Sequence, residues 1–232
     1  MILEQGMQNY PVVVMDNFYS NPDEIREYAL SLEYFSAEEN RHPGKRTKPL
    51  HEIDHTFNDF CISKFLSLYY NLDNTFVQWN VQTRFQLIEP YNDDPESWLN
   101  KNFIHTDGNC TLAGIVYLNY NANINAGTSM YRPVKQLGLI DTDMVIRKQF
   151  YNNEPVEQEY IEQIKYHTSQ FEETLSVKNI YNRVVAYDAN VFHAGSTVHV
   201  GKEPRLTQVF FVHEVTAENI RTPIDRVRNY PK

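Results

Sequence analysis

His105 and Asp107 flank a single threonine in the segment FIHTD. Side chains two positions apart in an extended backbone point to the same side of the chain. One imidazole and one carboxylate can therefore face a common metal ion. His193 follows much later, behind a predicted strand and in the apolar sequence VFHAG. Two histidines and one carboxylate on one face of Fe(II) leave three coordination positions open, as oxygen chemistry requires.

Arg205 stands at the head of the last strongly apolar segment, RLTQVFFVHEV. A turn that ends at Pro204 can fold this segment back beside the one that carries His193. Arg205 and Thr207 would then share one face of a strand. A guanidinium binds a carboxylate through two parallel hydrogen bonds, and a hydroxyl can add another. Ferrous iron beside a deep carboxylate anchor is a site suited to a 2-oxo acid.

The elements that must position these residues are helices followed by strands. Ser20 or Asn21 can cap a first helix with Pro22 in its first turn, and Thr56 with Asp59 fits a capping box for a second. Strand-type sequence follows in 77–88, 111–120, 127–131, 182–188 and 205–215. This order predicts an α+β protein with an antiparallel barrel or sandwich.

We expect the chain to form a single domain, with a charged insertion that could act as a lid. The polar, proline-broken segment 36–50 is predicted to be a loop, and 154–175 has a mostly helical pattern in which His167 faces solvent. The predicted parts are an N-terminal strand and helices (10–76), barrel strands (77–132 and 181–215) and the insertion (133–180) of one domain (1–232).

The composition bounds the class of partner. The formal net charge is −9, which disfavours a nucleic-acid partner because phosphate binding needs clustered Lys and Arg. The densest basic stretch, Arg41 to Lys48, is short and is expected to be a solvated loop. No apolar run approaches the length of a membrane span, and the N-terminus lacks the pattern of a signal peptide. These features are typical of a cytoplasmic protein.

Taken together, the segments IHTDG, AGIVYLNYN, GTSMY, NRVVAYDANVFHAGSTV and EPRLTQVFF resemble the 2-oxoglutarate/Fe(II)-dependent dioxygenase superfamily, in its prolyl-hydroxylase-like branch. The opening VVVMDNFYSNPDEIREYA resembles the entry strand and helix of that branch. The resemblance implies a double-stranded β-helix, a jelly-roll or cupin-like barrel, with N-terminal supporting helices. It also implies hydroxylation of a substrate with Fe(II), 2-oxoglutarate and O2, releasing succinate and CO2.

The resemblance also implies roles for residues. His105, Asp107 and His193 would be the metal ligands and the catalytic centre. Arg205 would bind the distal carboxylate of 2-oxoglutarate, a role that many members of the branch give to lysine. Because Asp107 is a carboxylate and not Gly or Ala, the halogenase variant of the family is disfavoured.

Four further residues receive roles from the resemblance. Tyr117 matches a strand tyrosine that often contacts the co-substrate, and Thr207 is a second co-substrate candidate. Arg84 and Gln86, on the strand before His105, would face the mouth that admits the substrate. The substrate itself, a small molecule or a protein, is not specified by the sequence, because members of one fold act on many substrates.

Two alternatives stay open. The barrel could be cupin-like and bind a metal, or nothing, without oxygenase activity. Separately, His51, Glu52 and His55 match the HExxH signature of zinc peptidases. That signature works only on a helix, where the two histidines share a face. Pro49 before it and the capping pattern at Thr56 after it predict a loop or short strand instead.

Overall fold

A computed structural model of the protein describes residues 10–36, 42–70, 72, 77–134 and 142–217, with the side chains of 142–144 and 217 left out. Parts of the predicted loop (36–50) and of the predicted insertion (133–180) lie outside these residues. Both ends of the predicted 1–232 domain, residues 1–9 and 218–232, also lie outside the described residues, as do residues 73–76 at the end of its N-terminal part.

The helices and strands that the sequence predicts occur in the predicted order, together with further elements that it does not predict. The helices are α1 (Pro22–Ser31), α2 (Leu50–Ile53), α3 (His55–Leu66), α4 (Thr142–Tyr151) and α5 (Glu157–Thr168), with a 3-10 turn at Trp98–Asn100. The strands are β1 (Val13–Met15), β2 (Phe35–Ser36), β3 (Lys45–Arg46), β4 (Val77–Ile88), β5 (Leu112–Tyr117), β6 (Thr128–Pro133), β7 (Phe171–Val177), β8 (Val184–Asp188), β9 (Phe192–Gly195) and β10 (Arg205–Ala217).

The strands form two antiparallel sheets. The seven-stranded sheet has the order β1-β8-β5-β10-β4-β3-β2, and the three-stranded sheet has the order β7-β6-β9. The long strand β10 pairs with β4 along one edge and with β5 along the other. The α+β class and the antiparallel sheets are confirmed. Among the described residues, no helix is long and apolar enough to span a membrane.

One face of the large sheet packs against the N-terminal helices. Phe65 of α3 stacks on Phe210 of β10, with ring centroids 4.4 Å apart and planes 4° from parallel. Gly114 of β5 makes room for this ring, because a Cβ there would lie 2.3 Å from the Phe65 side chain. Ala29 of α1 and Val212 of β10 belong to the same buried cluster. Burying one such phenylalanine contributes about 1.5–3 kcal/mol.

The opposite face of the large sheet packs against the small sheet. Tyr117 and Val185 of the large sheet share a buried cluster with Met130 of β6. The Tyr117 hydroxyl donates a hydrogen bond of 2.7 Å to Oγ1 of Thr128, which joins β5 to β6. Alternation along each strand therefore assigns one set of side chains to the helices and the other to the space between the sheets.

The second long helix begins one residue earlier than its predicted cap. Asp54, with φ −149° and ψ 100°, is the N-cap of α3, and its carboxylate accepts a hydrogen bond of 2.9 Å from the backbone N–H of Phe57. The predicted capping box at Thr56 and Asp59 is wrong. A carboxylate at the positive end of a helix is favoured over a hydroxyl by the helix dipole. The Pro22 prediction for α1 is confirmed.

Two segments differ from their predicted roles. The predicted helical pattern of 154–175 is wrong at its end, because residues 171–177 form the edge strand β7, which pairs with β6. Most of its side chains are exposed, so the sequence lacks the apolar alternation that reveals a half-buried strand. Within the predicted loop, Lys45 and Arg46 form β3 and pair with β4.

Candidate metal centre and carboxylate anchor

Three potential metal ligands converge between the sheets. One ligand atom from each of His105, Asp107 and His193 lies within 4.8 Å of the others. The two histidines form an antiparallel bridge, with backbone N···O distances of 3.0 and 2.9 Å. The backbone N–H of Asp107 donates to the carbonyl of Ala189 at 2.9 Å. Backbone pairing therefore brings together ligands that are far apart in sequence.

The hydrogen bonds of the two imidazoles fix which nitrogen is available. Nδ1 of His105 lies 2.9 Å from the carbonyl of Phe103, and Nδ1 of His193 lies 2.9 Å from the carbonyl of Val191. Because a carbonyl only accepts, each Nδ1 carries the proton and each Nε2 keeps its lone pair. The Nε2 atoms lie 3.7 and 3.3 Å from the Asp107 carboxylate.

The charge states of the cluster suit a metal ion. Burial and then the charge of His193 lower the pKa of His105 to about 4, although 46% of its side-chain surface is accessible within the cavity. Burial alone would raise the pKa of Asp107, but the neighbouring imidazoles of His193 and His105 and the guanidinium of Arg46 outweigh it and lower that pKa. Neutral imidazole beside ionised carboxylate is the state that binds a cation.

A cavity of about 620 Å³ opens beside the cluster. Its volume lies in the usual range for small-molecule sites. The large sheet contributes Ile115 and Val209, and the small sheet contributes Thr128. The cavity therefore occupies the space between the two sheets, and all three clustered ligands line it.

Arg205 lies in the wall of this cavity as a buried cation. Its residue is 4% exposed, and its Nε and Nη2 have no hydrogen-bond partner among the described residues. Its Cζ atom lies 5.8 Å from the ring centroid of Tyr117. Burial lowers the pKa of Arg205, and the neighbouring Tyr117 and Tyr187 oppose this. A buried charge without a counter-ion costs several kcal/mol, so the site is suited to an anion.

Tyr117 and Thr207, the other predicted co-substrate residues, lie beside Arg205. They stand opposite each other in the pairing of β5 with β10. Oγ1 of Thr207 is buried and has no hydrogen-bond partner in the described part of the chain. The Tyr117 hydroxyl is engaged with Thr128. Neither residue lines the cavity itself, so Arg205 is the one of the three that reaches it.

The two predicted substrate residues have different surroundings. Gln86 lines the cavity, and its Nε2 donates a hydrogen bond of 2.8 Å to the carbonyl of Pro43. Arg84 does not line it; its Nη1 donates to the carbonyl of Thr47 at 3.2 Å. The structure therefore brings Gln86 to the candidate site and leaves Arg84 outside the wall.

Two cavity residues have surroundings that the sequence did not indicate. Arg46, predicted to lie in a solvated loop, lines the cavity, and its guanidinium lies 5.2 Å from the ring centroid of Phe211. His167, predicted to face solvent, lines the cavity too, and its Nε2 lies 2.7 Å from the carbonyl of Ile104. The sequence around Arg46 and His167 carries no periodic signal that would have indicated either position.

Helices α4 and α5 form a further wall of the cavity. Phe150 and Tyr160 stack with ring centroids 4.0 Å apart, and Tyr160 meets Phe103 edge-on at 5.5 Å. These contacts form a separate small core between the helices and the segment that precedes His105. From α4, Arg147 and Tyr151 reach the cavity.

The geometry of the HExxH segment does not suit a zinc peptidase. His51 lies in α2 and His55 begins α3, and the extended backbone of Asp54 separates them. The predicted loop or short strand is wrong, because both histidines are helical, but they do not share one helix. Among the described residues, no group of three or more potential ligands contains either histidine.

Comparisons with solved structures find similar chains with low identity. A prolyl hydroxylase from Trichoplax adhaerens, in complex with a hypoxia inducible factor oxygen degradation domain peptide fragment, is 12% identical over 87% of this chain and 82% of that chain, with a TM-score of 0.49. A Pseudomonas putida prolyl-4-hydroxylase is 10% identical over 88% and 92%, with a TM-score of 0.42. HygX from Streptomyces hygroscopicus, with nickel and 2-oxoglutarate bound, is 11% identical over 87% and 82%, with a TM-score of 0.45.

Similarity at this level does not transfer a function, so the functional conclusion depends on the site itself. No curated protein sequence matches the chain. A family model described as "Family of unknown function (DUF6445)" matches residues 2–205. That range includes the three clustered ligands and ends at the buried arginine. The chain therefore belongs to the DUF6445 family.

Proposed function

We propose that the protein is an Fe(II)- and 2-oxoglutarate-dependent oxygenase that hydroxylates its substrate and releases succinate and CO2. In this proposal the two sheets are the walls of a double-stranded β-helix. The observation that carries it is the buried, unpaired guanidinium of Arg205 in the same cavity as His105, Asp107 and His193. A metal site alone would not require this second, cationic feature.

The donor set fits ferrous iron. Two imidazoles and one carboxylate are the ligand types of non-haem Fe(II) oxygenases, and they leave positions for other ligands. Fe(II) with bound 2-oxoglutarate supplies the redox chemistry that uses O2 to convert a C–H bond into an alcohol. The Nδ1 hydrogen bonds of His105 and His193 hold both rings in the tautomer and orientation that such a site needs.

The remaining residues bind and position the co-substrate. Arg205 would hold the distal carboxylate of 2-oxoglutarate through paired N–H donors. Tyr117 packs its ring near the guanidinium and keeps this end of the site dry. In such a dry environment each charged hydrogen bond is stronger than it would be in water.

The inserted helices would shield the reaction from solvent. Tyr151 and His167 reach the cavity from α4 and α5. The small core that these helices share with the segment before His105 would let their position respond to what the cavity contains. This is the role we propose for the predicted lid.

An anaerobic titration tests the proposal. Metal-free protein receives Fe(II) and then 2-oxoglutarate, and the weak visible charge-transfer band of the chelate is followed. We expect the band in the wild type and its loss in His193→Ala. His51→Ala is the matched control and should keep the band, whereas a zinc peptidase site would make that variant lose the metal. Folded wild-type protein without a band would contradict the proposal and favour a non-catalytic cupin-like barrel.

A further inference from the structure

The cavity is strongly cationic although the protein is acidic. The charged residues that line it, within the described part of the chain, are Arg46, Arg147, Arg205 and Asp107. The single carboxylate belongs to the metal cluster, and the formal net charge of the whole chain is −9. A pocket whose sign opposes that of its surroundings concentrates ligands of the opposite charge. The proposed co-substrate accounts for Arg205 and leaves the charge of Arg46 unexplained.

Arg46 is the charge that most needs a partner. Its Nη2 donates to Oε1 of Gln86 at 3.3 Å, which is a neutral acceptor, and its Nε is buried without a hydrogen bond. No carboxylate of the described residues forms an ion pair with it. Burial, and then the charge of Arg84, lower the pKa of Arg46 to about 10, so the guanidinium is still charged at neutral pH.

The positive charge of Arg46 also lowers the pKa of the neighbouring His42. Burial and then the charge of Arg46 lower the pKa of His42 to about 4, and Arg84 lowers it further in the same direction. His42 is therefore neutral near pH 7 and does not add charge. It can donate or accept a hydrogen bond beside the guanidinium, as Gln86 can.

The backbone holds Arg46 rigidly in the wall. Gly44, with φ +66°, makes a turn so close to β4 that a Cβ would lie 2.3 Å from the carbonyl oxygen of Leu87. The backbone N–H of Thr47 donates a hydrogen bond of 3.0 Å to the carbonyl of Phe85. In return, Oγ1 of Thr47 accepts a hydrogen bond of 3.2 Å from the backbone N–H of Phe85. A fixed guanidinium loses less entropy on binding than a mobile surface side chain.

Arg46 also acts on the metal cluster. The charges of Arg46 and Asp107 shift each other's pKa, and both residues line the same cavity. A ligand held at Arg46 would therefore share one cavity with the metal cluster and with Arg205, whose guanidinium lies 5.8 Å from the ring centroid of Tyr117.

We propose that Arg46, with Gln86 and His42, is a second anion site that binds a carboxylate or phosphate group of the primary substrate. This inference rests on the proposed function and names its substrate class, a small molecule that carries an oxyanion. The planar fork of a guanidinium matches both carboxylate and phosphate.

A titration with simple probes tests the site. The protein is loaded anaerobically with Mn(II) and saturating 2-oxoglutarate, and butyrate, butyl phosphate or neutral butyramide is added while binding heat is measured. We expect one saturable site for an anionic probe and no binding of butyramide. The tighter of the two anions identifies the source of the oxyanion. Arg46→Gln should weaken binding about tenfold or more, as expected for a lost charged hydrogen bond.

The variants separate this proposal from the proposed function. Arg46→Lys keeps the charge and should retain part of the binding, and Arg132→Gln, which alters an exposed arginine paired with Glu172, should bind as the wild type does. If no anion binds, or if Arg46→Gln binds as tightly as the wild type in a folded state confirmed by its melting curve, the second anion site is refuted. If 2-oxoglutarate itself fails to bind while the probe responds to Arg46→Gln, the proposed function fails and the anion site stands.

Discussion

Replacing Arg205 by methionine should make the metal-free protein more stable while it abolishes binding of the co-substrate. The two guanidinium nitrogens without partners each cost about 1–3 kcal/mol, or about 2–6 kcal/mol together. The contact with Tyr117 returns about 0.5–2 kcal/mol. A methionine of similar length fills the site without a polar group, so we expect a net gain of about 1–4 kcal/mol in the free energy of unfolding.

The assay is a thermal melt with and without 2-oxoglutarate. For a domain of this length, 1 kcal/mol shifts Tm by about 2–4 °C, so Arg205→Met should melt several degrees above the wild type when metal and ligand are absent. With Mn(II) present, 2-oxoglutarate at 100 times its Kd should stabilise the wild type by about 2.7 kcal/mol and leave the variant unchanged. Arg132→Met serves as the exposed control and should alter neither quantity appreciably.

The result that would refute this reasoning is a variant less stable than the wild type in the absence of ligand. It would mean that Arg205 is already satisfied within the protein and is a structural cation, not an anchor waiting for an anion. A variant that still responds to 2-oxoglutarate would place the co-substrate elsewhere.

Three further predictions concern packing, pH and a loop. Gly114→Ala should destabilise the protein by about 1–3 kcal/mol because the methyl group meets the buried ring of Phe65, whereas Gly108→Ala, with open space around its Cβ, should unfold at the same urea concentration as the wild type. His42 has a folded pKa of about 4 against an ordinary 6.5, so the unfolded chain binds more protons between these values. The free energy of unfolding should therefore fall as pH decreases from 6.5 to 4. Urea titrations at pH 7 and pH 5 should show a smaller decrease in this free energy for His42→Gln than for the wild type, and an equal decrease would contradict the prediction. The buried amide of Asn100 makes hydrogen bonds to four backbone groups of residues 91–94. Asn100→Ala should therefore lower the free energy of unfolding by about 2–4 kcal/mol. An unchanged Tm of this variant would show instead that solvent replaces those hydrogen bonds.

The grouping of His105, Asp107 and His193 could be anticipated in part, because it depends on local spacing and strand alternation. His105 and Asp107 share a face as residues two apart in an extended segment should, and Arg205 with Thr207 does the same on β10. The segment 77–88, predicted from its alternation, is β4 with the same bounds. Along much of β4 more buried and less buried positions alternate, which is the condition under which sequence pattern reveals a strand, whereas residues 205–210 of β10 are buried on both faces.

What the sequence could not supply is which loop reaches the cavity. Arg46 stands in a basic run that resembles a solvated loop, and only its pairing with the far end of β4 brings it to the wall. His167 lies on a charged helix, and its role depends on how α5 packs on the segment before His105. The strand β7 has an almost wholly exposed sequence. Such long-range placements leave no periodic signal in the chain.

The backbone bridge between His105 and His193 separates the assembly of the site from the arrival of its metal. The entropic cost of bringing residues 105 and 193 together arises when their backbones form this bridge, not when an ion binds. A metal ion that binds there would meet ligands already fixed in place, so little of its binding free energy would go into ordering the chain. Side-chain substitutions at either histidine leave the bridge itself unchanged, because its hydrogen bonds are made by backbone atoms. A site built in this way could therefore lose or exchange a metal ion through single substitutions while the fold is kept.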